Sequence, residues 1–320
     1  MECIISHRSA LEFWRREPAE VARASNKLRI GALSTKPWDA TELHGGNPWG
    51  LTTPLHILVG GSNARKDAAA LRCHVSSGRY SRGSFVRGDR GLIVSSPELC
   101  FIQMASELSL VDLVVLGFEF CGRYRLDKKA APEIGFRKDQ PLTSTAKLRS
   151  YVERASGLKG LKNAQKALRF IADGSESPME TVLALLLTLP YRLGGYGFPM
   201  PLLNPTIDIE IAGRKTPRKQ HYRFDLYWPS EQVDVEYDSD AFHALPEKLT
   251  KDSNRRNTLV SAGISVITVS RGQIMNIAGT HKVAKELGKT LRRRLKCPMP
   301  EFNAHRLALR NQLLPRSRML

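Results

Sequence analysis

From Tyr222 to Tyr237 apolar and polar residues alternate on both sides of Pro229-Ser230, the pattern of two short strands joined by a turn. With Trp228 to Glu231 as the turn, Asp225 lies opposite Asp234 and Arg223 opposite Glu236. One face then carries Phe224, Leu226, Val233, Val235 and Tyr237, a core face; the other carries Arg223, Asp225, Asp234, Glu236 and Asp238. In this register Asp225 and Glu236 are diagonal neighbours, roughly 7–8 Å apart at the backbone. Thr206 to Ile211 alternates isoleucines with Asp208 and Glu210 and reads as the strand before the hairpin, its acids at a solvent edge or joining the others. Upstream, Ser177 caps a helix with Pro178 in its first turn and Glu180 three residues on, the spacing of a capping box. Downstream, Pro246 to Ala262 reads as a helix stopped by Gly263, Ile264 to Val269 as a β-branched strand, and about Gly279 to Lys296 as a final long helix.

The front half has a looser pattern. Ser9 to Arg16 and Ala19 to Ala24 read as short helices, a pair compatible with a small DNA-reading unit or with any domain entrance. Leu55 to Val59, Ala70 to Val75 and Gly91 to Val94 read as strands, and Ser96-Pro97 opens a helix through Leu108. Between the strands Arg79, Arg82, Arg87 and Arg90 alternate with Tyr80, Phe85 and glycines, either a phosphate-gripping loop or an exposed surface loop. Lys128 to Gln140 reads as a linker, and 145–155 with 162–172 as an amphipathic helix pair. The organisation expected is an α+β domain over 1–140, a helical connector over 141–174, a second domain over 175–296 and a basic tail over 297–320.

Charge narrows the partners. Among 320 residues, 49 Lys and Arg against 31 Asp and Glu give a net charge of +18, which favours an acidic partner, nucleic acid ahead of an anionic surface. The last helix sets Val283, Leu287 and Leu291 on one side and Lys282, Lys285, Lys289, Arg292 and Arg293 on the other, a phosphate track or a solvated face. The apolar run Val182 to Leu189 is far below the ~20 residues that span a bilayer, so no membrane partner is expected. The opening residues carry no signal-peptide pattern, and five cysteines without a CxxC pair read as reduced thiols, together a cytoplasmic expectation.

Carboxylates crowded on one sheet face repel unless something positive neutralises them. A divalent ion does so, and hard oxygen ligands suit Mg²⁺ or Mn²⁺ beside a phosphate; the alternative is a solvated face balanced by Arg223 and nearby lysines.

The order helix with Glu180, strand with Asp225, strand with Glu236, helix, strand, helix resembles the PD-(D/E)XK nuclease superfamily. RFDLYW, VEYDSDAFH, Asp252 with Arg255 and Leu259, and GISVITVS resemble its Vsr-like endonuclease domains, over Ser175 to about Lys296. The front half more weakly resembles AbiEi-type antitoxin or regulator proteins, through Ser9-Ala10-Leu11, Pro54-Leu55-His56 and Ser96-Pro97. The resemblance implies an α/β fold with a restriction-endonuclease-like core, a central mixed sheet flanked by helices, preceded by the smaller α+β domain. It implies that Asp225 and Glu236 bind the metal, that Glu180 helps place the ion or its water, and that Asp238 and His243 join the site. Many superfamily members have lysine where Asp238 stands, so Asp238 reads as a metal or water ligand and His243 takes a proton-transfer role. Arg223 and Arg255 with the basic helix would contact nucleic acid; Asp252 with Arg255 or Arg256 reads first as a local salt bridge. The function implied is Mg²⁺- or Mn²⁺-dependent hydrolysis of DNA, with RNA open. The rival is an AbiEi-like DNA-binding regulator that keeps the nuclease fold as a scaffold.

Overall fold

The computed structural model describes residues 3–16, 26–28, 33–36, 49–76, 78–88, 90–127, 129–130, 135–211, 218–238, 246–295 and 300–314. The fold is mixed α/β, and the chain divides into two compact units, Met1–Ile171 and Ala172–Leu320. Among the described residues no helix is long and apolar enough to cross a membrane.

The first unit is built on a six-stranded sheet. Its strands are β1 (Cys3–Ile5), β2 (Asn26–Leu28), β3 (Leu55–Val59), β4 (Leu71–Val75), β5 (Phe85–Arg87) and β6 (Leu92–Ser95), in the order β2-β5-β6-β1-β3-β4. β1 lies inside the sheet, parallel to β6 and antiparallel to β3, which buries Cys3 and Ile5. Helix α1 (His7–Trp14) leaves β1 after one residue and begins two residues before the sequence pattern places it. Helix α2 (Pro97–Met104) starts where Ser96 accepts a hydrogen bond from Leu99 N. Helix α3 (Leu110–Cys121) escapes periodicity because ten of its twelve residues are buried, leaving no polar face to read.

Two stretches depart from the sequence reading. The arginine-rich loop contains β5, whose Phe85 is sealed in the core against Tyr80, so only part of it is surface. Within the linker segment, β8 (Phe136–Lys138) pairs with β7 (Tyr124–Leu126), while 128 and 131–134 lie outside the described residues. Helices α4 (Thr145–Arg154) and α5 (Leu161–Ala167), expected in a connector, belong to the first unit. The helical turn at 19–24 lies outside the described residues.

In the second unit, helix α6 (Pro178–Thr188) is buried along nearly its whole length. A four-stranded sheet follows, β14-β13-β12-β9, from β9 (Leu202–Leu203), β12 (Leu226–Trp228), β13 (Val233–Asp238) and β14 (Ser265–Ser270), with a second ladder of β10 (Thr206–Ile211) and β11 (Arg218–Arg223). The two ladders share one register: Leu226 pairs with Leu203 and Arg223 with Thr206, so Asn204 faces Asp225. Asn204 N donates to Asp225 O at 2.9 Å, and Asn204 sits at φ +49°, a left-handed conformation that Asn tolerates and that kinks the ladder there.

The hairpin register differs from the expected one. Trp228 pairs with Val233, so four residues, Pro229–Gln232, lie between the paired ends in place of the expected two, Pro229 and Ser230, with Gln232 at φ +53°. A shift of two keeps every side chain on its face, so the acids stay together, but Tyr227 now opposes Asp234 and Asp225 comes level with Glu236 instead of diagonal to it. β13 and β14 run in parallel, joined through helix α7 (Pro246–Ser261), and such pairs are covered on both faces. The acid-bearing face is accordingly only partly solvated: Arg223 is exposed, Asp225, Glu236 and Asp238 are half-buried, and Asp234 is 0% exposed. The unit is completed by α8 (Arg271–Met275), α9 (Ile277–Thr290) and α10 (Pro300–Leu313). Helix α9 ends earlier than expected because Arg292 turns left-handed at φ +52°.

Candidate functional site

Asp225 stands where the kinked strand passes from β11 to β12, and Asp234 and Glu236 follow one another on the same face of β13. Tyr237 N donates to Asp225 Oδ2 at 2.8 Å, tying the two strands together at the site. The Asp225 carboxyl is pushed up to about 6, first by burial and then by the negative charges of Glu180 and Glu236, against the Tyr237 N–H bond and Arg255. Asp234 is driven higher still, well above the carboxylate range, by burial and then by Glu236 and Asp225. Among the described residues no donor group reaches either Asp234 oxygen, and the hydrogen bond to Glu236 that also raises it exists only while the pair holds a proton. Burying such a group unpaired costs about 1–3 kcal/mol, more when it is charged.

Positive charge reaches this cluster from α7. Leu259 packs with Tyr227 and Phe224, which seats the helix over the acid face, and Arg255, one turn earlier on the same side, reaches Glu236 Oε1 and the carbonyl of Arg223. Arg255 therefore pairs with Glu236. The side chain of Asp252 lies outside the described residues. Arg223 pairs with Glu176 and donates to Asn204 Oδ1 at 3.2 Å. Both arginines expected to contact nucleic acid are thus engaged by the site's own oxygens.

Glu180 is buried and close enough to raise Asp225, but its oxygens are occupied. Oε1 accepts from Ser177 Oγ at 2.9 Å, and Oε2 accepts from Glu176 N at 2.9 Å and Asn204 Nδ2 at 2.6 Å. Glu180 therefore acts through Asn204, fixing the kink that presents Asp225. Ser177→Ala is expected to cost about 1 kcal/mol of stability through the lost cap, read as a lower urea midpoint, because Ser177 also accepts from Glu180 N. Asp238 ends β13 on the face of Asp234 and Glu236 and is half-buried. His243 lies outside the described residues. Asp208 does not join the cluster; it is exposed and paired with His221, and Glu210 is exposed as well.

The basic helix forms a separate surface. Val283 and Leu287 are buried, while Lys282, Lys285, Lys289, Arg292 and Arg293 are exposed. Five residues of this face and the adjoining turn, Lys285, Gly288, Lys289, Arg292 and Arg293, line an open hollow of about 780 Å³ with His281 and Leu295. The side chain of His281 is held below the usual imidazole range by burial, Lys285 and Arg306.

Sequence reasoning missed Asn204 and the weight of Asp234. It also missed a histidine group in the first unit, although His56 and His74 each interrupt an apolar strand, a signal legible in LHILV and LRCHV.

No family model and no solved structure matches this chain. Two Mycobacterium tuberculosis proteins are similar to it, "Uncharacterized protein Rv2248" of strain ATCC 25618 / H37Rv and "Uncharacterized protein MT2308" of strain CDC 1551 / Oshkosh, each 27% identical over 135 residues. The match covers 41% of this chain and 45% of each relative, under half of either length.

Proposed function

We propose that the second unit is a metal-dependent endonuclease of restriction-endonuclease-like architecture that hydrolyses phosphodiester bonds in DNA. The observation that carries this reading is Asp234: a carboxyl sealed from water, reached by no donor group among the described residues and crowded against Asp225 and Glu236. An all-oxygen donor set of this kind fits a hard divalent cation, Mg²⁺ or Mn²⁺, which would take the place of the proton that Asp234 holds in its absence.

Asp225 and Glu236 would hold the ion with Asp234 beside them, and Asp238 would bind it or its water from the end of β13. When bound, such an ion polarises a phosphodiester and supplies hydroxide at neutral pH. The chain's own residues do the rest. Tyr237 N–H fixes the Asp225 carboxylate, Arg255 orients Glu236 and balances charge, and Glu180 with Asn204 holds the kink. The exposed basic face of α9 would bind the phosphate backbone, and His243 is assigned proton transfer.

Two experiments separate this reading from its rivals. Mobility shifts that survive chelator, with every DNA form left uncut by Mn²⁺, would replace the nuclease by a DNA-binding regulator; competition between matched DNA and RNA decides the sugar. Replacing Lys285, Lys289, Arg292 and Arg293 together by alanine is expected to weaken DNA binding roughly 10–100-fold near 0.1 M salt and to lower the slope of log K against log salt by about 3. An unchanged slope would remove α9 from the DNA surface.

A further inference from the structure

The first unit holds a second donor group, of different chemistry. His7 opens α1, His56 and His74 lie on the adjacent parallel strands β3 and β4, and Glu107 follows α2. Ligand atoms of His7, His74 and Glu107 all lie within 4.8 Å of one another. The His7 and His74 rings are stacked, centroids 3.5 Å apart with 13° between their planes, so a shared tetrahedral ion, which would hold its ligand atoms about 3.3 Å apart, requires one ring to turn out of the stack.

One nitrogen of each ring is held by an outer partner, as in metal-bound histidines. His7 Nδ1 is 3.0 Å from Ser6 Oγ, and His74 Nε2 is 2.9 Å from His56 Nδ1. Neither ring's second nitrogen has a hydrogen bond among the described residues, and Glu107 engages Arg8 through Oε2 alone. His7 is moreover buried at φ +47°, a backbone conformation that is costly away from glycine and collects at functional sites. The group opens into a cleft of about 930 Å³ that Arg8, Arg65, Arg72 and Lys159 also line.

We propose that this cleft binds a borderline transition-metal ion, Zn²⁺ or one of like preference, through His7, His74 and Glu107, with His56 as outer partner of His74. Imidazole with one carboxylate selects such ions over Mg²⁺, which the second unit's oxygens suit. Three protein ligands leave a position for water or an anion, and the basic cleft wall favours the anion.

The test is Zn²⁺ titration of the metal-free full chain, on a background carrying Asp225→Asn and Glu236→Gln, which removes the two principal ligands of the acid cluster. One equivalent is expected to bind, and His74→Gln and Glu107→Gln are each expected to weaken it by at least about 10-fold. Co²⁺ in place of Zn²⁺ should give a visible absorption band in the parent that His74→Gln removes. The Glu107 side chain is 20% exposed and pairs with the outlying Arg8, 69% exposed, so Glu107→Gln should cost the metal-free parent no more than the loss of a surface ion pair and stay folded even if the histidine variant does not. Absence of Zn²⁺ binding in this background, or unchanged affinity in Glu107→Gln, overturns the proposal.

Discussion

Asp234→Val is expected to stabilise the metal-free chain by about 1–3 kcal/mol at pH 8 while lowering its response to metal. The residue lies on β13 between Val233 and Val235, fully buried, with no donor group reaching either oxygen among the described residues. Valine suits the strand and removes an uncompensated polar group. The pH dependence follows from the same burial. Asp234 and Asp225 both titrate higher when folded than the ~3.9 of an unfolded aspartate, so the folded chain keeps protons that the unfolded chain has released. The stability of the metal-free wild type therefore falls as pH rises from about 4, through about 6 for Asp225 and on into the alkaline range for Asp234. In Asp234→Val the fall should be shallower. Mn²⁺ should raise the urea midpoint of the wild type and do so less for the variant. A variant less stable than its parent in EDTA at pH 8 would mean that Asp234 has a stabilising partner in the metal-free fold.

Asp225→Ala and Asp225→Asn are each expected to lower Mn²⁺-dependent nicking by about 10³-fold, or ~4 kcal/mol of transition-state stabilisation. The pair separates charge from hydrogen bonding. Asparagine retains an acceptor for Tyr237 N, whereas alanine removes it. Only the alanine variant should lose stability, by about 1–3 kcal/mol. Equal activity of Asp225→Asn and the parent would remove the carboxylate from the chemistry, and loss confined to Asp225→Ala would make Asp225 a structural acceptor.

The legibility of the sequence differed between elements for physical reasons. Strand alternation placed Asp225, Asp234 and Glu236 on one face, and this held although the loop is two residues longer than expected, because an even shift preserves facing. An odd shift would have scattered them. Alternation did not reveal that the face is covered, since Arg223, Asp225 and Glu236 look like solvated residues until α7 lays Leu259 and Arg255 across them. The capping signal at Ser177 predicted the start of α6, but the second duty of Glu180 toward Asn204 depends on a left-handed residue twenty-four positions away. Helix α3 was lost to its own burial, and β8 to a segment whose charge and glycine imitate a linker. The histidine group was hidden because its members come from α1, β3, β4 and the end of α2, far apart in sequence.

The most direct measurement is the conversion of supercoiled plasmid to open circle by the full chain and by Glu236→Ala, each with Mn²⁺ and with EDTA. Nicked circles should form only with the parent chain and Mn²⁺. Plasmid left supercoiled by the parent under every metal, or nicked equally by Glu236→Ala or in EDTA, would contradict hydrolysis at this carboxylate cluster.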